Sequence, residues 1–137
     1  KCYHVCSVKT VFTNGCFDVL HRGHIELFRF CSTLGDRVIV GLNSDESVKS
    51  IKGNDRPINN EKDRAALVEA IRFVDQVVIF EEDTPHSIIK ILNPDIIVKG
   101  GDYDADLVVG KDLAEVVIFD YIDGYSTTRT LQALSNR

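Results

Sequence analysis

A chain of 137 residues with 44% hydrophobic content is sized for one core, so residues 1–137 are read as a single domain. Its 16 basic and 21 acidic residues leave a formal charge of −5 with no Lys/Arg-rich block. This excludes a general nucleic-acid binder and means that any anionic ligand must be met by local positive groups. No apolar run approaches the roughly 20 residues that span a bilayer, and KCYHVCSVK lacks the apolar centre of a secretion signal, so the expectation is a cytoplasmic protein without a membrane partner.

Residues 1–8 stand apart. The chain contains no methionine, so Lys1 reads as a trimmed or tag-adjacent start and the first residues as a frayed end. Cys2, His4 and Cys6 could together hold a soft metal, but one Cys-x-His-x-Cys with no distant partner set is a poor zinc site. With Cys16 and Cys31 they make four cysteines without a CxxC pair, and the expectation is reduced thiols and no metal centre.

From there, strand and helix patterns alternate. Residues 9–13 (KTVFT) are a short β-rich run, 25–34 have helical spacing, and 37–42 (RVIVGL) form a continuous apolar run typical of a strand buried on both faces. Residues 50–60 (SIKGNDRPINN) are polar, rich in turn formers and without periodicity, a candidate lid carrying Lys52 and Arg56. Residues 61–72 read as a helix with Leu67, Val68 and Ile71 on one side. A third strand at 76–80 (QVVIF), a helix at 85–92, a fourth strand at 95–99 (DIIVK), a fifth at 115–119 (EVVIF) and a closing helix at 127–134 complete the series. Alternation in units of about 30 residues predicts βαβ crossovers and an α/β fold, a Rossmann-like doubly wound parallel sheet of about five strands.

In such a sheet the ligand lies beyond the carboxyl ends of the strands. Those ends are polar and glycine-rich here: Asn14-Gly15-Cys16-Phe17-Asp18, Asn43-Ser44-Asp45, Gly100-Gly101-Asp102-Tyr103, and Asp123-Gly124-Tyr125-Ser126-Thr127-Thr128. After the first of them comes His21-Arg22-Gly23-His24. Gly23 permits close backbone approach, a helix start offers amide N–H groups, and two imidazoles three residues apart can donate into one space, which together suit a phosphate. The competing reading makes His21, His24 and Asp18 helix and turn caps. HRGH lacks the helical turn and the glutamate of HExxH, and the glycine fingerprints of dinucleotide and P-loop sites are absent.

GCFDVLHRGH (residues 15–24) resembles the GxFDxxHxGH signature of the cytidylyltransferase-like nucleotidyltransferases, and Ser126-Thr127-Thr128 resembles the close of that superfamily's second signature. FEEDTP (80–85), VKGGDY (98–103) and DGYSTT (123–128) are similar to the adenylyltransferases that make ADP-heptose from heptose 1-phosphate. The likeness runs from Thr10 onward in order and spacing. Glycerol phosphate cytidylyltransferases carry an arginine at the head of the second signature, where Tyr121 stands here. The segment between Tyr103 and Glu115 is shorter than in the heptose subgroup, which implies a reduced helix over 105–113 before the fifth strand.

The resemblance implies the HIGH-type nucleotidyltransferase fold and the reaction of ATP with D-glycero-D-manno-heptose 1-phosphate to ADP-heptose and pyrophosphate, with Mg²⁺ bridging phosphate oxygens. It implies phosphate contacts from His21 and His24, with Lys49 and Lys52 as point charges. Asn14, Gly15, Cys16 and Phe17 would carry the nucleotide, steadied by Asp18, with Gly23, Gly100, Asp102, Ser126, Thr127 and Thr128 also on the nucleotide. Gly101, Tyr103 and Arg129 would face the sugar phosphate, and Arg56 would anchor the loop or touch the sugar phosphate. AIRFVD (70–75) resembles a dimer-contact segment of related transferases, which implies a homodimer, and a kinase could be fused or separate. Two other readings stay open: a CTP-dependent cytidylyltransferase acting on glycerol 3-phosphate or another polyol phosphate, and a nucleotide-binding sensor without turnover.

Overall fold

The computed structural model describes residues 8–101, 104–120 and Leu134. Strands β1 (Thr10–Gly15), β2 (Arg37–Asn43), β3 (Gln76–Phe80), β4 (Ile96–Gly100) and β5 (Glu115–Phe119) pair in parallel throughout, in the order β3-β2-β1-β4-β5. Parallel neighbours need a crossover connection. Helix α1 (Arg22–Leu34) joins β1 to β2, α2 (Asp45–Lys52) and α3 (Glu61–Glu69) join β2 to β3, and α4 (His86–Leu92) joins β3 to β4. The doubly wound α/β sheet expected from the alternation is therefore present.

The sheet is buried on both faces because its central strands are apolar at consecutive positions. Val11, Val38, Val40, Leu42, Ile96 and Val98 turn to one side, against Leu27, Phe28 and Cys31 of α1 and Val68 of α3. Phe12, Ile39 and Ile97 turn to the other, against Ile89 of α4 and Val108. Gly41 makes room on that second face: a Cβ there would stand 2.6 Å from the Phe12 ring and 3.3 Å from the Asn14 Cβ. Gly110 holds a φ of +97°, and a Cβ added there would stand 2.6 Å from Ile97 Cδ1, so neither the backbone nor the space admits a side chain.

Four expectations change. An eight-residue helix, α2, occupies positions the periodicity left unassigned: Ser44 caps it by accepting from the Ser47 N–H at 3.2 Å, acids fill its first turn, and Gly53 with φ +105° ends it. Its single buried apolar residue, Val48, is too weak a stripe to announce a helix. The proposed lid consequently begins inside α2, and its far half is clamped, as described below. Helix α3 stops at Glu69, three residues early, and faces inward with Arg64 and Val68 while Leu67 is half exposed. The reduced helix expected over 105–113 is one 3₁₀ turn, Ala105–Leu107, followed by turns. The closing helix at 127–134, Leu134 excepted, lies outside the described residues, as do Cys2, His4 and Cys6.

Candidate functional site

The ladder between β1 and β4 runs only through Val11–Ile96 and Phe12–Ile97, after which the two strands splay. Because β2 and β3 continue to one side and β4 and β5 to the other, this fork is the topological switch point at which open α/β sheets place ligands. Asn14 and Lys99 stand at the fork, and both line three adjoining recesses there.

The first recess is bounded by Asn14, Gly15, Cys16, Phe17, Asp18, His24, Lys52, Arg56, Lys99 and Gly100. A wider one, about 330 Å³, adds Asn43, Ile51, Asp83, Thr84 and Pro85 and reaches the lower end of the roughly 300–1,000 Å³ of small-molecule sites. The third is walled by Pro85, Leu107, Val108 and Val109. Three cationic side chains, Lys52, Arg56 and Lys99, thus meet one neutral imidazole in a protein of net charge −5.

The two histidines form a reciprocal cap. His21 is the N-cap of α1; its Nδ1 accepts the Gly23 N–H at 3.0 Å, while its own N–H donates to Nδ1 of His24 at 3.2 Å. The rings stack with centroids 3.9 Å apart, and Phe17 meets His24 edge-on at 5.3 Å. An Nδ1 that accepts from an amide carries no proton, so in the neutral rings the hydrogen is on Nε2 of both. Burial, with smaller contributions from His21 and Lys52, pushes the His24 pKa down to about 3. Burial also lowers that of His21. His24 is therefore a neutral Nε2–H donor at physiological pH.

This cap corrects one part of the sequence argument. Three first-turn amides of α1 are engaged: Gly23 with the His21 ring, and His24 and Ile25 with the His21 carbonyl at 3.0 and 3.4 Å. The imidazole Nε2–H groups are thus the side-chain donors the helix start presents. The cap reading and the phosphate reading are compatible, because Nδ1 serves the first and Nε2 the second.

Asp18 ties the loop after α2 to the site. Its carboxylate, fully buried, accepts from Arg56 Nε at 2.9 Å, from the Ile58 N–H at 2.8 Å and from the Asn59 N–H at 2.9 Å, and its carbonyl accepts from Asn59 Nδ2 at 2.8 Å. Burial by itself would raise its pKa, but the Asn59 and Ile58 amides and Arg56 outweigh that and hold it below the usual carboxylate range. Residues 56–59 are thus anchored, which bears out the expectation that Arg56 ties down the candidate lid. Arg56 is the anchor, and its buried Nη2 has no hydrogen-bond partner among the described residues.

Arg64, which the sequence did not single out, is fully buried and joins four segments. Its guanidinium donates to the carbonyls of Asn59 at 2.9 Å, Cys16 at 2.9 Å and Asn43 at 2.7 Å, and to Asp45 Oδ1 at 2.8 Å. It fixes the ends of β1 and β2 relative to α2. Nothing local distinguishes it within EKDRAALVE; a signal did exist for Lys99, the one charge closing the apolar run of β4. Asn43, which the sequence placed at a polar strand end, donates from Nδ2 to Ser47 Oγ at 2.9 Å, which in turn donates to the Glu82 carbonyl at 3.0 Å.

Of the expected residues, the fold brings together Asn14, Gly15, Cys16, Phe17, Asp18, His24, Lys52, Arg56 and Gly100. Lys49 is elsewhere: it lies 3.7 Å from Glu46 on the exposed side of α2 and lines none of these recesses. Gly101 follows β4 with φ +108° and bonds the Phe119 carbonyl at 2.9 Å. Asp102, Tyr103, Ser126, Thr127, Thr128 and Arg129 lie outside the described residues. Among the described residues no group of three His, Cys, Asp or Glu side chains could hold a metal, and no helix is long and apolar enough to cross a membrane.

A model of the cytidylyltransferase-like family matches residues 12–133. The chain is 53% identical over 135 residues to the bifunctional protein HldE of a Nitratiruptor species, covering 98% of this chain and 29% of that protein. It is 53% identical over 125 residues to the HldE of Campylobacter fetus, covering 90% and 27%. It spans less than a third of the length of these curated relatives. Among solved structures, the lipopolysaccharide core biosynthesis protein of Thermoplasma volcanium superposes with a TM-score of 0.71 at 30% identity, over 88% of this chain and all of that one.

Proposed function

The chain belongs to the cytidylyltransferase-like family, and from that premise we propose that it transfers AMP from ATP to a sugar 1-phosphate, D-glycero-D-manno-heptose 1-phosphate, giving ADP-heptose and pyrophosphate. The observation that carries this reading is the convergence of Lys52, Arg56 and His24 on one recess at the switch point, in an otherwise acidic protein. The name shared by the relatives and the lipopolysaccharide role in the Thermoplasma protein's description support the sugar.

In the proposed reaction a sugar phosphate oxygen attacks the α-phosphorus in line. A new P–O bond forms, the bond to the β-phosphate oxygen breaks, and pyrophosphate leaves with the electron pair. Such a transfer asks the protein for position and charge, not for a nucleophile. His21 and His24 would donate Nε2–H to phosphate oxygens without titrating, because their Nδ1 atoms are held by backbone amides. Lys52 and the Nη2 of Arg56, which has no partner among the described residues, would hold the acceptor phosphate. Asp18 positions Arg56. Ser126, Thr127, Thr128 and Arg129 remain proposed nucleotide and sugar contacts by resemblance, as do Asp102 and Tyr103.

Mg²⁺ fits as a companion of the triphosphate, since that ion needs few protein ligands. Asp18 is engaged by its own donors, so Asp83 is the described lining carboxylate that would hold the ion. Bound there it would neutralise phosphate charge. We also place a homodimer contact at 70–75, where Phe73 is flanked by the guanidiniums of Arg29 and Arg72 at 4.9 and 5.0 Å. A kinase fused or separate would supply the second activity that the relatives' name announces.

The test is pyrophosphate release from four nucleotides, each paired with heptose 1-phosphate, glycerol 3-phosphate and other sugar phosphates. Turnover confined to ATP and heptose 1-phosphate is expected. Turnover with CTP and a polyol phosphate would replace the reading with a cytidylyltransferase, and none at all, with nucleotide still raising the melting temperature, would leave a binding domain. His24→Ala should lower kcat by about 100-fold or more while the fold persists.

A further inference from the structure

Asn43, the last residue of β2, is 4% exposed and lines the wider recess at the fork. Arg64 holds its backbone carbonyl at 2.7 Å, and its side chain is oriented by a relay. Nδ2 lies 2.9 Å from Ser47 Oγ, which lies 3.0 Å from the Glu82 carbonyl. A carbonyl only accepts and a serine hydroxyl has one proton to give, so that proton goes to Glu82 and the Ser47 oxygen must receive another from Asn43. The amide is thereby committed with its NH₂ end toward Ser47, and its other end is Oδ1, an acceptor. Reversing it would set a carbonyl oxygen against a hydroxyl oxygen with no proton between them. Ser47 itself is 1% exposed and borders none of the three recesses.

Lys52 borders both this recess and the one of His24 and Arg56, so a phosphate that it holds stands where the two meet. Asn43, Ile51 and Thr84 border the wider recess and neither of the others, as does Asp83, the carboxylate assigned above to Mg²⁺. Ile51 is 49% exposed and adds an apolar surface. An amide oxygen, a hydroxyl and an aliphatic side chain beside a phosphate-holding lysine suit a neutral body that carries hydroxyls and C–H faces. A phosphate oxygen finds no donor in the Asn43 Oδ1; a sugar hydroxyl finds an acceptor there.

We propose that Asn43 determines specificity for the acceptor: its Oδ1 accepts from one hydroxyl of the sugar whose phosphate Lys52 holds, and Ser47 is the positioning residue that keeps the amide turned that way. This rests on the nucleotidyltransferase reading and deepens it, giving the wider recess to the body of the acceptor. A site that pairs a buried acceptor with a substrate hydroxyl rejects analogues lacking that hydroxyl, because the buried oxygen is then left without a donor. The relay supplies the orientation before the sugar arrives, so binding need not fix the amide.

The experiment measures pyrophosphate release by wild type, Asn43→Ala and Ser47→Ala from ATP with heptose 1-phosphate, its monodeoxy analogues and the matching deoxyfluoro analogues, with KM for ATP and melting temperatures alongside. Asn43→Ala should raise KM for heptose 1-phosphate by about 10- to 100-fold and leave KM for ATP within about 3-fold of wild type. One deoxy analogue should be poor with wild type by a similar factor, yet no poorer than heptose 1-phosphate with Asn43→Ala, a coupling that a merely structural role would not produce. The fluoro analogue at that position should be as poor, since fluorine cannot donate. Ser47→Ala should raise KM for heptose 1-phosphate by about 3- to 10-fold through the freed amide. A rise confined to KM for ATP would put Asn43 on the nucleotide and overturns the proposal, as does an analogue ranking that is the same in wild type and Asn43→Ala. Should Asn43→Ala fail to fold, Ser47→Ala decides alone, an unchanged KM for heptose 1-phosphate overturning the assignment. A wild type that releases no pyrophosphate from any pair refutes the parent reading instead.

Discussion

Replacing Arg64 by Met should remove about 3–5 kcal/mol of folding stability, the usual result of breaking a buried charge network on one side. Arg64 is 0% exposed, and methionine fills a similar linear volume, so the cavity contribution is small. What changes is the fate of four acceptors: the carbonyls of Asn59, Cys16 and Asn43 and the carboxylate of Asp45, now bonded at 2.7–2.9 Å. A buried acceptor left without a donor costs about 1–3 kcal/mol. Asp45, with a side chain 30% exposed, can turn to water and loses least. Removing the guanidinium also recovers its own desolvation, which brings the sum of the acceptor losses down into the stated range. Arg64→Lys should cost about 2 kcal/mol or more, because three N–H groups on one nitrogen cannot reach four segments. Urea titrations followed by circular dichroism give the values, with Lys62→Met on the exposed side of α3 as the control, expected within about 0.5 kcal/mol of wild type. Nucleotide affinity should fall with Arg64→Met, since the Cys16 and Asn43 ends border the recesses. An Arg64→Met protein within about 1 kcal/mol of wild type, at unchanged urea dependence, would refute the claim that this guanidinium holds the strand ends together.

Gly41→Ala should cost about 1–3 kcal/mol by overpacking, since the new methyl meets the fully buried Phe12 ring at 2.6 Å; a thermal melt equal to wild type would show that the ring can move. Asp18→Asn should lose about 2–3 kcal/mol at pH 7. Because the folded carboxyl titrates below its unfolded value, this contribution is present above the unfolded pKa and disappears as pH falls through the folded one, so urea midpoints of variant and wild type should converge in acid. For His24, with a folded pKa of about 3, the unfolded chain binds the extra proton first on acidification. Its share of stability is therefore full above the ordinary imidazole value near 6.5 and declines toward pH 3. Nucleotide affinity, measured by calorimetry, should show no inflection between pH 6 and 7 from this ring; an inflection there that disappears in His24→Gln would mean that a charged imidazole binds the phosphate.

The order of strands and helices was legible because consecutive apolar runs such as RVIVGL and DIIVK can be buried only in a covered parallel sheet, and the site's edge followed from where those runs end. HRGH was legible for the same local reason, its two rings lying within one turn. Sequence alone also reached Asp18, Lys52 and Arg56, through their placement in polar segments beside those ends. It could not reveal that Asp18 and Arg56 bind each other across 38 positions, which turns a supposed lid into an anchored strap. Nor could it show that Arg64, in a helix whose charges look like a solvated face, bonds carbonyls 21 and 48 positions away. Lys49 and Lys52 are equivalent as letters, and only the rotation of α2 sends one to solvent and the other to the recess. Local pattern reports which side chains prefer to be buried; the cost of burying a charge is met by partners distant in sequence, and only the folded chain determines which partners arrive.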